Sequence, residues 1–141
     1  SECVSYAKMD LEEPMTIAFW TILAAIALPW LMAAMKKSPL AANGKYSNRA
    51  PRAMQPKLQG LSQRAHWAEQ NSFEILPAFI AAVLVAHFAG AEQATVDLLA
   101  VGFVVSRVLY SICYLMNWAS LRSLIWMVGL LFIVSLFVIS A

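Results

Sequence analysis

The chain is 141 residues long, 61% hydrophobic and only 13% charged, with a mean hydropathy of +0.66. A soluble domain carries about a quarter of its residues as charged side chains, so this composition excludes an ordinary water-soluble enzyme. The net charge of +2 gives no basis for a nucleic-acid partner, and the two cysteines, Cys3 and Cys113, are too few and too far apart for a disulfide scaffold or a metal cluster.

Residues 1–14 read as an N-terminal extension to a membrane domain of residues 15–141. The opening "SECVSYAKM" has neither the basic start nor the apolar core of a signal peptide, and Met9 and Met15 both fit a native start. The first apolar run, Pro14 to Met35, is followed by a basic stretch with Lys36, Lys37, Lys45, Arg49, Arg52, Lys57 and Arg64 and no acidic residue. Pro39, Gly44, Pro51 and Pro56 make that stretch irregular rather than a fifth helix. The second run is Phe73 to Gly90, long enough to span if its helix begins near Leu61. The third is Ala94 to Met116 and the fourth Leu124 to Ala141. Each is near the ~20 residues that cross a bilayer core, and the short second and third loops make neighbouring spans antiparallel. The expected fold is an all-α integral membrane bundle of four transmembrane helices.

Lysine and arginine are retained on the cytoplasmic side of a membrane, whereas Glu2, Asp10, Glu12, Glu13 and Glu92 lie in the opposite segments. The first and third loops are therefore expected in the cytoplasm and both termini outside. The bland reading of Lys45, Arg49, Arg52 and Lys57 is attraction to anionic headgroups.

Glu74 and Arg107 are the ionisable residues hardest to place in hydrocarbon, where an unpaired charge costs several kcal/mol. Arg64, Asn71 and Glu74 fall on one face of the second helix, and Arg107, Tyr110 and Tyr114 on one face of the third. Arg122 opens the fourth. Helix direction brings all seven to the cytoplasmic half. A plain ion pair between Glu74 and Arg107 would explain those two residues, with the tyrosine hydroxyls as interhelical glue. It does not explain why further arginines gather there; several arginines at one depth suit an anionic ligand, and a phenol and an arginine beside a thiol stabilise its thiolate.

"NSFEILPAF", "RVLYSICY" and "LRSLIW" together resemble the MAPEG superfamily, the membrane-associated proteins in eicosanoid and glutathione metabolism. The resemblance runs from Met15 to Ala141, and "RAHWAEQNSFEILPAF" is similar to its bacterial branch, which implies a bacterial inner membrane. It implies a homotrimer with glutathione between subunits and lipophilic substrates arriving from the bilayer. Asn71, Glu74, Arg107, Tyr110 and Tyr114 would line the glutathione pocket, with Arg64 on the same face. Arg122 would stabilise the thiolate, and Lys36 or Lys37 would meet a glutathione carboxylate. Eukaryotic members usually have arginine where this chain has Trp67.

The remaining polar residues take plainer readings. His66 is expected as a boundary residue, His87 has no metal partner, Cys113 is a small core residue, and Asp97 is given no chemistry. The tryptophans serve as interface anchors and packing, Gly102 and Gly129 permit close helix approach, and Pro29 and Pro77 kink their helices. Two function classes stay open at this point. One is a glutathione-dependent transferase or peroxidase acting on lipophilic substrates; the other is a non-catalytic subunit of a larger membrane complex. A small transporter is a third, weaker reading, since no inverted repeat is visible.

Overall fold

Each of the four apolar runs folds as one continuous helix. A computed structural model describes residues 13–141, and in it α1 spans Ile17–Lys37, α2 Gly60–Phe88, α3 Gln93–Leu115 and α4 Ala119–Val138. The starts and ends follow local chemistry. The Thr16 hydroxyl accepts from Phe19 N at 3.1 Å and caps α1, and Pro39 ends it. Gly90, with φ +73°, turns α2 into α3, and Asn117, with φ +60°, turns α3 into α4. Between α1 and α2 the chain forms only short turns at Pro39–Ala42, Pro51–Met54 and Gln55–Lys57. Cys3, Met9 and the acidic residues Glu2, Asp10 and Glu12 used for the orientation lie outside the described residues.

All four helices are long and apolar enough to cross a membrane. Packing places them there as well. The buried cluster is rich in small residues, with Ala18, Ala25, Ala82, Ala86 and Ala100 around Phe79 and Phe103. Large apolar side chains such as Trp20, Leu31, Leu98 and Leu131 are exposed on the outside instead. A water-soluble bundle does the reverse; lipid is as apolar as leucine, so membrane helices bring small residues together and leave the large ones outside. The chain is an integral membrane protein.

The helices run up and down, with α1 packed chiefly on α2 and α3 on α4. The α3–α4 contact relies on glycine from both sides. A side chain at Gly102 would meet the Phe132 ring at 2.5 Å, and one at Gly129 would meet the Ser106 Oγ at 3.3 Å. At the end of the bundle away from the basic loop, the Asp97 Oδ1 of α3 accepts from Ala18 N at 2.9 Å. That carboxylate supplies a second cap to α1, where the helix dipole favours negative charge. Asp97 thus has a structural role that its sequence position did not announce.

Candidate functional site

The apolar cluster fills one half of the bundle, and the polar residues occupy the half beside the basic loop. There α3 ends, α4 begins, and the first turns of α2 pass between them. Asn71, Tyr110, Tyr114, Arg122, Ser123 and Trp126 line an open cleft of about 290 Å³. Two guanidiniums are laid on the two phenols. The Arg107 Cζ lies 4.1 Å from the Tyr110 ring centroid, and the Arg122 Cζ lies 4.2 Å from that of Tyr114. The phenols meet edge to face at 5.7 Å, and Trp67 covers Tyr114 from α2 at 6.3 Å. Such contacts hold a guanidinium in place through the ring's negative face.

Arg107 is 3% exposed, and its Nη2 donates to the Asn71 Oδ1 at 2.6 Å. Its Nε has no partner, and no carboxylate among the described residues lies within ion-pair distance of it. The expected ion pair with Glu74 does not form. Asn71, one turn earlier on α2, takes one bond from the guanidinium without the desolvation of a carboxylate, and the Glu74 side chain is exposed. This half of the molecule therefore holds a buried cation whose only direct hydrogen-bond partner among the described residues is neutral, behind a cleft with a second cation, Arg122, at its wall. The arrangement suits an anion that spans from Asn71 to Arg122.

Comparison with known proteins bears on the same residues. The sequence model of the MAPEG family matches residues 17–141. The chain belongs to the MAPEG family. No curated protein and no solved structure matches it.

For this MAPEG chain, the structure brings together five of the seven residues expected at the site. Asn71, Tyr110, Tyr114 and Arg122 face the cleft, and Arg107 stands directly behind Asn71 and Tyr110. Arg64 is engaged elsewhere, since its Nε donates to the Leu115 carbonyl at 3.1 Å and ties α2 to the end of α3. Glu74 is exposed on α2 and does not line the cleft wall.

Lys36 departs from expectation. It is 6% exposed and ion-pairs with Glu69, while its Nζ lies 3.3 Å from the His66 Nδ1. A lysine committed to a buried carboxylate is not free to meet a ligand. His66 is accordingly part of a largely buried Lys–His–Glu cluster between α1 and α2. The Ser62 hydroxyl closes the same junction by donating to the Lys36 carbonyl at 2.6 Å. Glu69 went unremarked in the sequence; its signal was its position three residues after His66, opposite Lys36 in the last turn of α1. Ser123, Trp126 and Trp67 were also missed as parts of the site. Cys113 is 3% exposed, as a packed core residue should be.

Proposed function

We propose that the chain is a glutathione-dependent membrane transferase or peroxidase acting on lipophilic substrates. Membership of the MAPEG family supports a glutathione-related membrane activity of this type. The observation that carries the reading for this chain is Arg107, a buried guanidinium with no counterion among the described residues, next to an open cleft that ends at Arg122. Glutathione is a peptide of net negative charge with one thiol. Its carboxylates would supply the counterion beside Arg107 and Asn71, and its sulfur would lie toward Arg122. The Arg122 guanidinium would donate to the sulfur and favour the thiolate, the form that attacks. An apolar acceptor would reach it from the lipid past Trp126.

The cleft and the exposed Glu74 lie on a surface that a second copy would cover, so the reading includes a homotrimer with the site at subunit boundaries. It also takes the chain as a bacterial-type member, with the basic loop on the cytoplasmic side. The test is the thiolate absorbance near the ultraviolet edge when detergent-purified protein is titrated with glutathione. A saturable thiolate band at neutral pH is the expected result. Glutathione that binds with its thiol still protonated would sink the catalytic reading.

One observation favours a second reading. Lys36 is occupied by Glu69, and Trp67 stands where eukaryotic members usually have arginine, so the cleft offers fewer cations than the family pattern. A non-catalytic subunit of a larger membrane complex would need no more than this. Failure to bind glutathione at all would select it.

A further inference from the structure

A second cavity, of about 110 Å³, lies beneath the basic loop where α1 ends and α2 begins. Asn43, Lys45, Tyr46, Lys57, Gln59 and Ser62 supply its polar wall. It shares no residue with the cleft described above. Its volume is several times the roughly 30 Å³ of a water molecule, enough for a group the size of a phosphate.

Its chemistry has one sign. Lys45 and Lys57 face it from opposite ends of the loop, and the Lys37 Nζ stands 5.8 Å from the Tyr46 ring centroid. No acidic residue occurs between Lys36 and Arg64 to neutralise them. The Tyr46 hydroxyl is fully buried and has no hydrogen-bond partner among the described residues. Buried hydroxyls are satisfied in the great majority of cases, and an orphan donor beside two lysines is what an oxyanion would satisfy. The start of α2 adds to this. Gln59, its N-cap residue, makes no side-chain capping bond and lines the cavity, so the N-terminal amides of a 29-residue helix are left to other acceptors.

The surroundings indicate where the oxyanion comes from. Leu40, next to the wall residues Ala41 and Ala42, is 75% exposed and sits on the turn that follows the membrane-spanning α1. An apolar side chain thus projects from the same loop that presents the cations, at the level where headgroups lie. We propose that this cavity is a specific binding site for the phosphate of an anionic membrane lipid, held by Lys45, Lys57 and the Tyr46 hydroxyl. This differs from a diffuse attraction of the loop to a charged surface, which would draw equally on every exposed cation. It does not depend on the thiol chemistry of the cleft.

That difference is the basis of the test. Phosphatidylglycerol is titrated onto the detergent-purified full chain, and native mass spectrometry reads the affinity of the first lipid bound. Three variants are compared: Lys45→Ala with Lys57→Ala, Arg49→Ala with Arg52→Ala, and Tyr46→Phe. The two double variants lose the same charge from the same loop, but Arg49 and Arg52 are exposed and do not line the cavity. Lysines at an exposed rim can be removed without unfolding the bundle, and unchanged melting temperatures check this. Loss of the lysine pair is expected to weaken binding by about tenfold or more, the scale of lost charge-assisted hydrogen bonds. Tyr46→Phe should weaken it by roughly threefold to tenfold, and the arginine pair should have much less effect. Equal losses in the two double variants, or none, overturn the proposal. Inorganic phosphate that displaces the lipid and binds as tightly on its own would assign the cavity to free phosphate and overturn the lipid assignment.

Discussion

The environment of each arginine decides what its removal should do. Arg122 is half-buried at the start of α4, where water and headgroups reach it, and its contact in the chain is the Tyr114 ring. Arg122→Leu should therefore change stability by less than about 1 kcal/mol, the worth of an accessible cation–π contact. If the sulfur of a bound thiol lies against it, the same change removes a charge-assisted hydrogen bond of about 1.5–3 kcal/mol. The thiolate band of bound glutathione should then appear about one to two pH units higher, which a spectrophotometric pH titration measures. A variant with an unaltered titration would exclude Arg122 from that role. Arg107, though buried, is also not expected to hold the fold together. A pairing with Glu74 would have made its loss costly, but no carboxylate is left stranded when it goes. Burial of a lone arginine in a span costs about 2.5–3.5 kcal/mol on insertion scales. One neutral hydrogen bond and one ring contact offset only part of that. Arg107→Met, which keeps much of the side-chain volume, should leave the melting temperature unchanged or raised while glutathione affinity falls at least about tenfold. A sharp fall in melting temperature would show that the guanidinium is a structural pillar rather than a counterion held ready.

At the scale of helices, the α3–α4 contact is the most sharply specified. Gly102 faces the Phe132 ring with no room for a methyl group, and Gly129 faces Ser106 and Phe103 from the other side. Gly102→Ala should cost about 1–3 kcal/mol, the usual penalty for overpacking, and should splay the two helices that carry Tyr110, Tyr114 and Arg122. Phe132→Leu in the same chain should restore most of that loss. Thermal unfolding of the two single variants and the double variant measures the coupling, and additive effects would show that the ring is not the obstacle. The helices themselves were legible because hydropathy is a property of long runs, and ~20 apolar residues have few alternatives in a membrane. The depth of the polar residues was legible too, since direction alternates from span to span. Partners were not legible. Helical spacing puts Asn71 and Glu74 on one face of α2, yet a small rotation of the helix decides which of them meets Arg107. Lys36 shows the same limit: as a terminal lysine it reads as free, and only the approach of α2 commits it to Glu69. Asp97 could not be read as a cap for α1 either, because the Ala18 amide it accepts from lies 79 positions away.

The whole molecule has one property that a single chain does not explain: a polar cleft and an exposed carboxylate, Glu74, on a surface otherwise made for lipid. A carboxylate facing hydrocarbon is costly, so such residues face the interior of an assembly or a water-filled cavity. Association of copies through this face would remove Glu74, Asn71 and the cleft from lipid in one step. In the proposed homotrimer each site would lie between two neighbours. The lipid-facing remainder, with Trp20, Trp30, Leu31 and Leu98, would stay on the perimeter. The prediction is that a cysteine introduced at Glu74, in a Cys3→Ser, Cys113→Ser background, becomes inaccessible to a lipid-soluble maleimide in nanodiscs, while one at Leu98 reacts freely. Leu98 is 72% exposed on α3 and serves as the lipid-facing standard. Chemical cross-linking of the unaltered chain in a mild detergent should show species up to three copies and none larger. Equal labelling at the two positions, together with a monomer as the largest species, would mean that the cleft faces lipid in the working protein. Glutathione would then have to bind to one chain alone, with Arg107 and Arg122 as its only cations at the cleft.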